Sequence, residues 1–275
     1  MLKESEKLLQ SLHTGKTFAK MYAAFRPSYP QEVYDKIMSY HLERPGSPPC
    51  DQQLAVDVCC GTGQSTLPLT KYFGKVTGVD ISEDQVREMP TDVKNLKAVV
   101  SSAEDLYFLE SGSVHLVTIA TSLHWVNRDK FFDEARRVLK PGGTFVAYSY
   151  WFDQLANNEA ETFMKKMLHT VFGKYLTSRL DVMENKYATI KFPFSHIKRY
   201  DGIKIPAEMT LKEYIGYIAS FHYINLYLRD FPKSNILEEI EKSLALILGS
   251  RNGDPDDTIN VKTEWNVFMV LGRRE

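Results

Sequence analysis

With 275 residues, 43% of them apolar and 25% charged, the chain is long enough for one large α/β domain or for one domain with a long insertion. A formal net charge of -1 offers no basic field to gather nucleic acid or an anionic membrane, and it suits an enzyme with a small ligand. Three cysteines, Cys50, Cys59 and Cys60, make neither a disulfide framework nor paired Cys-x-x-Cys zinc motifs, so the expected setting is reducing and cytoplasmic with no metal.

Met1 to Gln10 carries both charge signs and no apolar signal core, and no stretch nears the roughly 20 apolar residues of a membrane span. An aromatic-rich segment, Phe18 to Tyr29, precedes a helical pattern over Gln31 to His41 and a Pro- and Gly-rich loop over Arg44 to Asp51. Strand and helix patterns then alternate. Strands are expected at Leu54–Cys59, Lys75–Asp80, Ala98–Ser101, Val114–Ala120 and Thr144–Trp151. Helices are expected at Ser65–Phe73, from Glu83, and at Asp129–Leu139, the last stopped by Lys140-Pro141-Gly142-Gly143. Such alternation implies right-handed crossovers and a mostly parallel sheet. The second half differs. It reads as a helix over Asn157–Phe172, strand-like pieces over Lys191–Ile205, one long helical run over Leu211–Leu228 and a helix over Ile236–Leu248. A polar turn over Arg251–Asp257 and a terminal strand over Thr258–Leu271 complete it.

The most informative stretch is Asp57-Val58-Cys59-Cys60-Gly61-Thr62-Gly63-Gln64, between a strand and a helix. Glycine there permits a tight turn and close approach of a ligand to the main chain. Asp80 closes the next strand about 20 residues on, where an acid hydrogen-bonds a ribose diol in nucleotide-binding folds. The third glycine of a dinucleotide fingerprint is replaced by Thr66, no Lys or Arg stands in the turn, and no Gly-Lys-Ser/Thr follows. A nucleoside without phosphates fits these residues better than a dinucleotide or a nucleoside triphosphate.

That turn, Val79-Asp80-Ile81-Ser82, Ser102-Ala103-Glu104-Asp105-Leu106 and Arg137-Val138-Leu139-Lys140-Pro141-Gly142-Gly143 together resemble the ordered motifs of class I S-adenosylmethionine methyltransferases, over roughly residues 54 to 151. Tyr22-Ala23-Ala24-Phe25-Arg26-Pro27-Ser28-Tyr29-Pro30 and Ser122-Leu123-His124-Trp125-Val126 resemble the trans-aconitate methyltransferase-like branch. The resemblance implies a Rossmann-like α/β fold: a seven-stranded, mostly parallel sheet with helices on both faces, an antiparallel last strand and a helical lid insertion. It implies an N-terminal helical segment over 1–50 covering the cofactor site and a cofactor-binding core over 51–151. A lid and substrate region over 152–275 would send its terminal strands back to the core sheet.

The cofactor implied is S-adenosyl-L-methionine, leaving as S-adenosyl-L-homocysteine. Asp57 would organise the turn, with Cys59, Gly61 and Gly63 close to the cofactor. Asp80 would take the ribose hydroxyls, and Ile81 would pack on adenine. Ala103 would offer its backbone to the adenine edge with Ser102 alongside, Ala120 would sit near the methionine portion, and Tyr22 and Arg26 would reach the cofactor carboxylate or the substrate. Three departures stand out: Cys59 where the first motif glycine is usual, Ser102 for the common acid, and His115 for the common aspartate. A thiol at 59 takes room beside the ligand unless it points into the sheet.

Methyl transfer is an in-line displacement that needs alignment and exclusion of water more than a fixed triad. His124, past the fourth strand, is the candidate catalytic base or a packing histidine beside Trp125; a carboxylate acceptor needs no base. Trp125, Tyr150, Tyr217 and Phe221 are candidates for substrate contact, with plain core packing as the competing reading for each aromatic. Arg26 is either a bidentate partner for a carboxylate or a solvated arginine. Cys59 and Cys60 are read as small buried hydrophobes. The expected partner is a small-molecule methyl acceptor, with no nucleic acid and no membrane; an RNA or protein methyltransferase and a catalytically silent module are the alternatives.

Overall fold

The computed structural model describes residues 26–43, 49–176, 180–250 and 259–275. They fall into two compact units: a sheet unit within Ser28–Trp151, Arg179–Ile203 and Asn266–Glu275, and a helical unit within Met1–Pro27, Phe152–Ser178 and Lys204–Trp265.

In the sheet unit, α1 (Gln31–Leu42) precedes β1 (Leu54–Val58), β2 (Lys75–Asp80), α2 (Glu83–Arg87), β3 (Leu96–Val100), β4 (Val114–Ala120), α3 (Arg128–Val138) and β5 (Leu139–Tyr150). β1 to β5 pair in parallel, and β8 (Asn260–Arg273) closes antiparallel on β5, Tyr148 facing Met269. The order is β3-β2-β1-β4-β5-β8, with β7 (Ser195–Thr210) also on β8. The seven expected strands are therefore β1–β5, β7 and β8. A two-residue β6 (Gln154–Leu155), paired with the first part of β8, makes the sheet eight-stranded. Val56, Val58, Ile119, Phe131, Phe145 and Ala147 are wholly buried. Each large apolar side chain so buried contributes about 1.5–3 kcal/mol. Near-continuous apolar runs such as β4 are what a parallel strand covered on both faces requires.

The chain after Asp57 does not form the α-helix expected over Ser65–Phe73. A short 3-10 helix stands at Leu67–Lys71. The hydroxyls of Ser65 and Thr66 turn back to Asp57, and Pro68 disfavours the α conformation of the residue before it. Lys140-Pro141-Gly142-Gly143 ends α3 but is already part of β5, so that strand is longer than expected.

The helical unit holds α4 (Asn158–Thr170), α6 (Leu211–Ala219), α7 (His222–Asp230) and α8 (Ile236–Ile247); a short α5 (Asp181–Glu184) belongs to the sheet unit. The run expected as one helix over Leu211–Leu228 is two. Thr210 begins α6 with a capping box to Glu213, and the chain breaks at Ser220–Phe221. The break has side-chain causes: Ser220 donates its hydroxyl to the Tyr217 carbonyl, and Asn225 donates to the carbonyls of Ala219 and Phe221. Aromatics knit this unit together: Phe221 stacks on Tyr223 at 5.2 Å, and Trp265 donates its indole N–H to the Tyr217 hydroxyl at 2.6 Å. The polar turn expected over Arg251–Asp257 lies outside the described residues. Among the described residues no helix is long and apolar enough to cross a membrane.

Candidate active site

The strand order reverses between β1 and β4, so the crevice at their carboxyl ends is the topological switch point at which open α/β sheets bind ligands. Asp57 and Thr118 are register partners across this gap. Oδ1 of Asp57 accepts the Thr118 hydroxyl, and Oδ2 accepts those of Ser65 and Thr66, each at 2.6 Å. One buried carboxylate thus ties β1 to β4 and fixes the first turn after Gly63. Burial pushes the Asp57 carboxyl up, and the three hydroxyls pull it back in part.

Cys59 follows β1 with φ of 56°, in the left-handed region that glycine adopts freely and other residues at a cost of about 1–2 kcal/mol. The backbone therefore keeps the shape of the usual glycine although the side chain does not. The thiol packs against the apolar core of the sheet unit, and burial raises its pKa, with the carboxylates of Asp80, Glu104 and Asp57 adding to the shift. Gly61 and Gly63 also have positive φ, 57° and 97°, and a Cβ at Gly61 would meet the Gln85 amide oxygen at 2.8 Å. At these two positions the backbone favours glycine, and any larger residue at Gly61 would also have to displace the Gln85 side chain.

Asp80, at the end of β2, faces the same turn. Its Oδ2 accepts the Gly61 N–H at 2.9 Å and its Oδ1 the Ser82 N–H at 2.8 Å. Burial pushes its carboxyl up, opposed by the amides of Ser82, Gly61 and Ile81. A carboxylate has about four lone-pair sites, so two hydroxyls of a diol still find acceptors there. Ile81 is 44% exposed, an apolar side chain presented beside that acid. These groups fit an adenosyl ligand without phosphates.

After β3, Ser102 donates its hydroxyl to Glu104, and Glu104 in turn accepts the Asn127 N–H at 2.7 Å; Ala103 is buried. The acid absent at position 102 thus has a carboxylate two residues on, which the sequence reading did not single out. Ala120 ends β4, nearly buried. His124 is buried, its ring 4.7 Å from that of Trp125, which is partly exposed. Tyr150, ending β5, lies 5.9 Å from Tyr29 ring to ring. Tyr22 lies outside the described residues.

In the helical unit, Arg26, Tyr217 and Phe221 form one cluster. The guanidinium donates to the Ser220 carbonyl at 3.2 Å and lies 4.5 Å over the Phe221 ring and 5.6 Å over that of Tyr217. The sequence placed these residues in two separate roles; it gave no sign that an arginine would seat on the break between α6 and α7.

Sequence reasoning also missed Thr118, which meets Asp57 only through the pairing of β1 with β4, and the Tyr29 and Thr121 hydroxyls, which bond to each other across 92 residues of chain. A hydroxyl on an inward strand position at the carboxyl edge is the one sign that marked Thr118 beforehand. Among the described residues no group of three or more His, Cys, Asp or Glu stands together as metal ligands.

Residues 56–147 match the methyltransferase domain family. A Dictyostelium discoideum protein named as a methyltransferase is 30% identical over 263 residues, covering 94% of each chain. A Saccharomyces cerevisiae protein named as S-adenosylmethionine-dependent methyltransferase is 25% identical, covering 92% of this chain and 94% of the relative. A solved structure described as a type II methyltransferase of Anaeromyxobacter dehalogenans superposes with a TM-score of 0.73 at 25% identity, over 91% of this chain and 98% of the other. With this end-to-end similarity and the motif order on a Rossmann-like sheet, the chain belongs to the methyltransferase family.

Proposed function

We propose that the chain is an S-adenosylmethionine-dependent methyltransferase of the trans-aconitate methyltransferase-like branch, acting on a small molecule, foremost a carboxylic acid. The observation that carries the reading is the pairing of a glycine cradle without cations and the Asp80 carboxylate at the switch point. Such a site suits a phosphate-free nucleoside bearing a sulfonium and offers nothing to a pyrophosphate.

When bound, S-adenosylmethionine supplies an electrophilic methyl group. The chain's own residues bind and align. Asp80 would hold the ribose hydroxyls, Ile81 would lie against adenine, Ala103 and Ser102 would edge it, and the main chain at Cys59, Gly61 and Gly63 would run alongside. Ala120 would border the methionine portion, with Asp57 keeping the turn in shape. Arg26 and Tyr22 would reach the cofactor carboxylate or the substrate. His124 would accept a proton only if the acceptor arrives protonated, and Trp125, Tyr150, Tyr217 and Phe221 would contribute acceptor contacts. Alignment of this kind supplies up to about 7–11 kcal/mol of a barrier. A net charge of -1 supports a small acceptor over RNA, and a cytoplasmic setting goes with the reduced cysteines.

The test is transfer of label from S-[methyl-3H]adenosylmethionine. The reading expects label in a small organic acid fraction, in a form released by mild alkali as esters are. Label confined to precipitated RNA or protein would favour a macromolecular acceptor, and absence of both binding and transfer would favour a silent module.

A further inference from the structure

Thr121, the first residue after β4, has φ of 49°. For a β-branched residue this is an outlier, held only because the surroundings impose it, and such strain gathers at ligand sites. Its N–H donates to the Tyr148 carbonyl at 2.8 Å. Its hydroxyl is hydrogen-bonded to the Tyr29 hydroxyl, and the Tyr29 ring packs edge-on against Tyr148 at 4.8 Å. Glycine or asparagine would adopt that backbone with less strain. What threonine brings is an oxygen atom, and the tyrosine adds a second beside it. Both residues are partly exposed.

The place of this pair matters. The cradle that continues β1 and Asp80 at the end of the neighbouring β2 mark where the proposed function puts the nucleoside. β4 lies on the other side of β1, across the switch point, so a ligand extending from ribose toward its sulfur runs to the end of β4. A sulfonium sulfur carries a positive charge, so its remaining lone pair is a very poor hydrogen-bond acceptor, and the charge polarises the C–H bonds around it. Hydroxyl oxygens, each with two lone pairs, are the groups that receive such C–H donors.

We propose that the Tyr29 and Thr121 hydroxyls form an oxygen pair that recognises the positive sulfonium of the donor and thereby distinguishes it from the neutral thioether of the product. This rests on the S-adenosylmethionine reading above. The pair favours loading of the methylated form and release of the demethylated one. A role limited to tying Tyr29 to β4 would treat the two ligands alike.

Calorimetric titration with S-adenosylmethionine and, separately, S-adenosylhomocysteine tests it without any acceptor. For Tyr29→Phe, which keeps the ring against Tyr148, affinity for S-adenosylmethionine falls about three- to tenfold while that for S-adenosylhomocysteine stays within about twofold. Thr121→Ala gives the same selective loss, and Thr121→Ser restores it. Equal weakening of both ligands, or no change in either, overturns the proposal. A wild-type protein that binds neither ligand fails the function reading itself, an outcome distinct from loss of selectivity. Should Tyr29→Phe not fold, the Thr121→Ala and Thr121→Ser pair carries the same comparison.

Discussion

The two edges of the central sheet are built on opposite terms. At the carboxyl edge, Cys59 and Thr121 sit at positive φ after adjacent strands, two carboxylates are buried, and Ile81 is exposed. At the amino edge, polar groups are matched in a closed network. His41 shares Nδ1 with the Thr144 hydroxyl at 2.8 Å and Nε2 with the Gln53 side-chain oxygen at 2.7 Å. Arg273 donates to Thr144 at 2.6 Å and to the carbonyls of Tyr40, His41 and Gly142. With Arg273 donating to it, the Thr144 hydroxyl is placed to donate to His41 Nδ1, which leaves Nε2–H to donate to the Gln53 oxygen, as suits a neutral imidazole. The difference shows where stability is held and where it is given up. The amino edge anchors α1, β5 and β8, and that anchoring lets the carboxyl edge carry strain and buried charge in the service of a ligand.

The hardest blow to the contrast is Asp57→Ala. Three hydroxyls lose one buried acceptor, so unfolding free energy in urea should fall by about 3 kcal/mol or more. A loss under about 1 kcal/mol would mean the hydroxyls re-pair and the carboxylate is not the tie between β1 and β4. Next comes Asp80→Ala. It removes a charged acceptor from the diol position, and affinity for S-adenosylmethionine should drop about ten- to a hundredfold by calorimetry, with the melting temperature changed far less. Unchanged affinity would remove Asp80 from the site.

Cys59→Gly is smaller and of opposite sign. Relief of the left-handed backbone, offset by glycine's extra chain entropy, predicts a gain of up to about 1 kcal/mol and cofactor affinity equal or better. A clear loss of stability would show that thiol packing outweighs the strain.

The smallest effect is the response to acid, which should have opposite sign at the two edges. His115 at the amino edge accepts the Leu54 N–H on Nδ1 at 3.1 Å and faces the Lys140 ammonium at 3.0 Å. Burial foremost, then Lys140 and His41, lower its pKa from 6.5 to about 4; burial lowers His41 as well. The unfolded chain therefore binds more protons between those values, and this edge loses stability as pH falls through that window. Asp57 and Asp80, held above the ordinary carboxylate value of 3.8, contribute in the other direction, gaining as they protonate. His115→Asp, which gives Lys140 an acidic partner, should flatten the decline of melting temperature toward pH 4. An unaltered slope would place the acid sensitivity elsewhere.

Much of this was legible in the sequence because it is local. β2 and β4 fall on the expected bounds, since a buried parallel strand is a continuous apolar run with a polar stop. The glycine cradle and Asp80 were visible as residue types at fixed spacing. What escaped is non-local. No glycine or proline marks Ser220–Phe221; the break rests on the Ser220 and Asn225 side chains bonding to nearby carbonyls, which residue type alone does not announce. Thr118 gains meaning only once β4 lies beside β1, and Thr121 only once Tyr29 reaches it. Cys59 was read as a matter of room, whereas its backbone is what departs from the ordinary.

A crystal structure with S-adenosylhomocysteine is the most direct test of the central claim. The account predicts the ribose hydroxyls on the Asp80 carboxylate, adenine against Ile81, and the sulfur toward the end of β4. A nucleoside bound away from the crevice between β1 and β4, or a crevice closed by the Cys59 side chain, would contradict it.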